Sequence, residues 1–206
     1  MSITFRDLGP STYDAQLKNF IKLLEGNKDL PYVDTTGNPT IGWGFAINSD
    51  ANGAPRNPIA RNYLLTTVLG INPNRPGLSA QAQAAENDYL SQLEGVLDGD
   101  AGPWAPDFTG AGPSTLALRS DLNNILANRI ANAANNYTAN DLALIGPFRS
   151  TFKYNSEGEK EATFDLIKGD YEGRVTSLIS SVPPFSSERI ALFAAAYQGT
   201  LGTSLP

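Results

Sequence analysis

The chain has 206 residues, 41% hydrophobic and 17% charged, which suffices for a substantial core and lacks the low hydrophobicity and high charge of disordered segments. It contains no histidine and no cysteine. That composition excludes Ser-His-Asp and Cys-His nucleophilic catalysis and leaves zinc without its usual imidazole and thiolate ligands, so carboxylates become the leading acid–base groups.

With 15 basic and 21 acidic side chains the net charge is −6 and no basic run is present, which argues against a nucleic-acid partner. The same charge removes electrostatic steering toward any anionic substrate. Without cysteine no disulfide has to form, so the fold suits a reducing or an oxidising compartment. Residues 1–10 hold no apolar run of signal-peptide length, and no segment approaches the ~18 consecutive apolar residues of a membrane helix. The expectation is a chain made in the cytoplasm without an export signal of its own and without membrane insertion.

Residues 11–25 carry Leu17, Phe20, Ile21 and Leu24 at helical spacing, with Ser11 and Asp14 as a capping signal, and the helix is expected to end at Glu25-Gly26. A carboxylate at that end meets the negative pole of the helix dipole, which raises its pKa. Residues 30–33 read as a strand, 34–38 as a Gly-containing turn and 39–45 as the returning strand, making a small antiparallel sheet. A loop follows over 47–58, then helical patterning around 60–69.

Ser79 is placed to cap a long helix with Ala84, Tyr89, Leu90, Leu93 and Leu97 on its stripe. Residues 98–113 hold four glycines and three prolines and must break the helical run. Helices are expected again at 114–135, 140–145, 159–181 and 187–198. No repeat and no separating linker is visible. The predicted fold class is α+β in one domain over 1–206: a small hairpin lobe at about 11–75 and a larger helical lobe at about 76–206.

The chemistry concentrates in Glu25-Gly26, Tyr32-Val33-Asp34-Thr35-Thr36-Gly37 and Thr40-Ile41-Gly42-Trp43-Gly44. A glutamate at a helix end, an aspartate at a hairpin turn and a threonine on the returning strand are placed to converge, and the two carboxyls are the pair a glycosidase requires. One carboxyl stays protonated as acid while a second, ionised, orients water or stabilises oxocarbenium charge.

This pattern resembles the T-even phage lysozymes, glycoside hydrolase family 24, in which a helix-end Glu-Gly is followed by Tyr and Asp entering a D-x-x-G turn and by T-x-G-x-G on the next strand. The resemblance implies a lysozyme-like fold and a muramidase that cleaves the MurNAc-GlcNAc strand of bacterial peptidoglycan. Glu25 would be the general acid, with Asp34 and Thr40 holding the attacking water for inversion, a geometry that needs carboxyls roughly 6.5–9.5 Å apart. Gly37, Gly42 and Gly44 match the family's glycines. A late segment, 188–202, echoes a family helix that ends in an aromatic, then Asn or Gln, then glycines. The resemblance thus implies substrate contacts at Gly44, Tyr197 and Gln198. No metal or organic cofactor is implied.

The family usually has a histidine where this chain has Phe45, and residues 48–182 have no counterpart there. Compact members also continue through further helices where this chain stops, so the intervening helices replace them or the chain is a piece of a larger one. Two alternatives remain open: an inactive lysozyme-like wall-binding or structural module, and a lytic transglycosylase, which uses a glutamate without an aspartate-held water. Delivery by a phage holin, injection by a secretion system and membership of a larger cell-puncturing protein all suit the chain, and an injected effector implies an immunity protein.

Elsewhere, ordinary structural roles are the expectation. Residues 48–53 begin like a calcium loop but lack the terminal glutamate, since Ile59 stands there, so they read as a solvated turn. Trp43 and Trp104 read as packing residues and Asp29 as a solvated turn residue.

Overall fold

The computed structural model describes residues 5–99 and 103–198. It is mostly helical with one three-stranded antiparallel sheet, an α+β protein. No helix among these residues is long and apolar enough to cross a membrane. The chain divides into two compact units, Met1–Asn27 with Phe164–Pro206 and Lys28–Thr163.

In the first unit, α1 (Pro10–Glu25) buries Tyr13, Leu17 and Ile21, one residue per turn on a single face. The Ser11–Asp14 cap does not form. Gly9 is the N-cap and Pro10 takes the first helical position, where its fixed φ is already helical and its missing N–H costs nothing. Asp14 instead pairs with Lys18 and Lys168. Leu24 is exposed rather than on the buried stripe.

The partners of α1 come from the other end of the chain: the later turns of α7 (Glu157–Leu178) and α8 (Ser187–Tyr197), which is capped by the Ser186 hydroxyl. Phe164, Val175, Ile190 and Phe193 complete the core. At one edge Arg189 donates to Glu172, which also accepts from the Tyr13 hydroxyl.

The second unit opens with β1 (Lys28–Val33), β2 (Pro39–Gly42) and β3 (Phe45–Ala46), in that order in the sheet. Three strands form where two were expected because the returning segment turns at Gly42 and Gly44, both at positive φ (69° and 77°). At Gly42 a Cβ would lie 2.7 Å from the Phe45 ring, so only glycine lets the strand fold back there. Asp29 belongs to β1 rather than to a turn: its carboxylate accepts from Lys160 and its carbonyl from the Tyr154 amide. Residues 48–53 form the expected turn, organised by the Asp50 carboxylate. No cluster of acidic, histidine or cysteine side chains among the described residues could hold a metal.

Beyond α2 (Pro58–Asn62) and a π-helical continuation (Tyr63–Val68), α3 (Ala80–Asp98) is capped by Ser79 and packs on α4 (Pro113–Ala131), which also lies against β1. The buried stripe of α3 is Ala82, Glu86, Tyr89, Leu93 and Leu97. It includes a fully buried glutamate and leaves Ala84 exposed, contrary to the apolar pattern. Glu86 is tolerated because every donor it needs is present: Arg129 at 2.7 and 2.9 Å, the Tyr137 hydroxyl at 2.6 Å and the Asn72 amide at 3.0 Å. Two short helices, α5 (Ala133–Asn136) and α6 (Ala139–Ile145), follow, the second with a complete Thr138–Asp141 capping box.

Candidate functional site

Glu25 is the last residue of α1, ended by Gly26 at φ 78°, so the helix stops where the sequence signals it. The side chain is half-buried and its Oε1 is enclosed without a hydrogen-bond partner among the described residues. Burial penalises the charged form and raises the carboxyl above the usual glutamate range, while a hydrogen bond from the Gln198 side chain opposes the shift.

Tyr171, whose hydroxyl feels the Glu25 charge, belongs to an aromatic cluster in the same unit. Tyr197 lies within a four-ring cluster, its ring centroid 4.9 Å from Tyr171 and about the same 6.2 Å from Phe164 and Phe193. The Tyr171 hydroxyl is pushed up by burial, and the nearby Glu25 charge adds to that. Gln198, expected to touch substrate, is the residue that engages the Glu25 carboxyl. Gly199 to Gly202 of the late motif lie outside the described residues.

Asp34 sits where β1 enters the hairpin turn, in the other unit. Its Oδ1 accepts from the Thr36 amide (2.8 Å), the Thr36 hydroxyl (2.7 Å) and the Asn38 amide (2.9 Å), and its Oδ2 from Asn38 Nδ2 (3.3 Å). Burial works to raise its pKa, but the donors of Asn38 and Thr36 outweigh it and hold the carboxyl below the ordinary aspartate range. Thr40 faces Tyr32 across the β1–β2 ladder; it is buried, and its hydroxyl donates to the Asn38 carbonyl at 3.0 Å. Gly44 closes the β2–β3 turn, and Phe45 is core, edge-on to Tyr154.

The hairpin is braced from behind by groups the motif does not reveal. The Thr115 hydroxyl on α4 accepts from the Val33 amide, and the Asp107 amide donates to the Asp34 carbonyl. Asp107 in turn gathers Thr109, Gly110 and Gly112, folding the glycine-rich segment into a fixed loop. Thr36 and Asn38 were legible as Asx-turn donors from Asp-Thr-Thr-Gly-Asn. Asp107-Phe108-Thr109-Gly110 carries the same local pattern, and Thr109 donates its amide and hydroxyl to the Asp107 carboxylate as Thr36 does to Asp34, but nothing in the sequence signalled that this loop meets the hairpin.

The six expected site residues therefore divide between the units: Glu25, Tyr197 and Gln198 in one, Asp34, Thr40 and Gly44 in the other. Among known proteins, no family model, no curated protein and no solved structure matches the chain.

Proposed function

We propose that this chain is a lysozyme-like glycoside hydrolase that cleaves the glycan strand of bacterial peptidoglycan, with Glu25 as general acid and Asp34 as the ionised partner. One observation carries the reading. Two carboxyls that stand at motif spacing have environments that push their pKa values in opposite directions, the helix-end glutamate up and the hairpin aspartate down. A glycosidase needs that division of labour, since the acid must hold its proton at a pH where its partner has lost its own. Glu25 protonates the leaving oxygen, Asp34 with Thr40 orients the water, and the product forms with inversion. Gly44, Tyr197 and Gln198 are proposed to line the sugar's path. The substrate lies outside the cytoplasm, so delivery by a holin, by a secretion system or within a larger protein completes the proposal, and for a delivered effector so does an immunity protein.

A second reading has its own observation. The Asp34 oxygens accept four hydrogen bonds within the turn and the Thr40 hydroxyl is bound to a backbone carbonyl, the arrangement a wall-binding module or a glutamate-only lytic transglycosylase would also tolerate. Mass spectrometry of the products from purified peptidoglycan separates the three. Reducing muropeptides with water added support the hydrolase, anhydro products replace it with the transglycosylase, and retention on the wall without products leaves the binding module.

A further inference from the structure

The unit Lys28–Thr163 contains a groove of about 850 Å³ that the catalytic assignment does not use. Val96 of α3, Ala117 and Ile125 of α4 and the ring of Trp104 form its apolar wall. The size lies within the roughly 300–1,000 Å³ of ligand pockets. The two tryptophans differ: Trp43 is fully buried, whereas Trp104 is partly exposed and held in place by its indole N–H, which donates to the Val96 carbonyl at 3.0 Å. With that donor satisfied, the ring offers apolar contact alone.

The rim has the opposite character. Ser91, Ser114 and Asp121 border the groove, and no hydrogen bond or ion pair from another described residue engages their side chains. No lysine or arginine is among the described lining residues, so a phosphate or another anion finds no counter-charge and meets the Asp121 carboxylate instead. An apolar wall with hydroxyl and carboxylate acceptors at its edge suits a neutral ligand having one C–H face and a fringe of hydroxyls.

The groove is also joined to the hairpin. The Trp104 carbonyl lies so close to Gly37 that a Cβ there would approach it to 2.6 Å, and three residues further along the Asp107 amide binds the Asp34 carbonyl at 3.0 Å. The wall of the groove and the Asp34 turn are one packed assembly. We propose that the Trp104 groove is an accessory binding site for an N-acetylated hexosamine strand, with a sugar ring on Trp104, its N-acetyl methyl against Val96 and Ala117, and its hydroxyls at Asp121 and Ser114. This rests on the glycan reading above but not on catalysis.

The test uses tetra-N-acetylchitotetraose titrated into full-length Glu25→Gln protein, followed by calorimetry and by tryptophan fluorescence, to which buried Trp43 contributes a constant background. Saturable binding with a Trp104 signal is expected. Trp104→Ala weakens affinity by at least about tenfold, as loss of an aromatic anchor does, and Trp104→Phe restores most of it. Ala117→Glu, at an exposed position that leaves the core intact, blocks the groove to a similar extent and decides the matter if Trp104→Ala fails to fold. Wild-type affinity in Ala117→Glu, or no saturable binding in the parent, overturns the proposal. A parent that binds in this pattern while unmutated protein releases no muropeptide sinks the hydrolase reading and leaves the groove standing; turnover with indifferent groove variants does the reverse.

Discussion

Glu25 and Asp34 are both half-buried carboxyls at the end of a regular element, yet their protons are held in opposite ways. Glu25 closes a helix, where the backbone presents carbonyls rather than amides, and one of its oxygens has no partner among the described residues. Asp34 opens a turn, where successive amides and a hydroxyl point inward and four donors reach it. Burial acts on both in the same direction, so the supply of donors decides the sign.

The largest break in this comparison is Glu25→Gln. If Glu25 is the acid, muropeptide release falls by about 10²–10⁴-fold while circular dichroism is unchanged. Its stability consequence has a definite sign. A carboxyl whose folded pKa is raised binds protons more tightly when folded, so the wild type loses stability as pH climbs through and above the ordinary glutamate value; Glu25→Gln removes that loss. A wild type and variant with parallel stability–pH curves would show that the burial of Glu25 does not raise its pKa.

Asp34→Ala strips the turn of its acceptor and leaves four donors seeking water, at a cost of about 1.5–3 kcal/mol in urea unfolding. Here the pH dependence reverses. A lowered folded pKa contributes stability that is present above the unfolded value near ~3.9 and is lost as pH falls through the folded value, so the deficit of Asp34→Ala relative to wild type shrinks in acid. A deficit independent of pH would mean that the charge of Asp34 is immaterial to the turn.

Gln198→Ala sharpens the Glu25 side. The Gln198 hydrogen bond opposes the upward shift, so its loss raises the Glu25 pKa further and moves the alkaline limb of the activity profile to higher pH. An unmoved limb with a raised KM would show that Gln198 acts through its proposed substrate contact rather than through the Glu25 carboxyl. The smallest effect belongs to Thr40→Val, which deletes one hydroxyl-to-carbonyl bond for about 0.5–1.5 kcal/mol, with Thr40→Ser restoring it. An activity loss in Thr40→Val far beyond that stability cost, recovered in Thr40→Ser, would point to a water held by the hydroxyl.

Much was legible because it is local. The end of α1 at Glu25-Gly26, the Asp34 turn, the Ser79 cap and the helical runs that became α3, α4, α6, α7 and α8 each follow from side chains within a few residues of the feature they produce. The capping misread at Ser11 came from ranking a hydroxyl above Pro10, whose ring was the stronger local instruction. The extra strand came from reading Gly42 and Gly44 as strand interior when their positive φ makes the corner.

What the sequence by itself determined, then, is the series of elements and the two carboxyl-bearing ends on which the functional proposal stands. Tertiary structure alone decided that α1 shares a core with α8 from the far end of the chain, that a glutamate belongs in the buried stripe of α3, and that the Asp107 loop braces the Asp34 hairpin. Periodicity reports which face of an element is apolar, but the identity of the facing surface and the donors waiting on it are set by residues tens of positions away. The upward shift of Glu25 belongs to that second kind of information, because burial exists only once the chain has folded, whereas the donors that lower Asp34 stand within four residues of it.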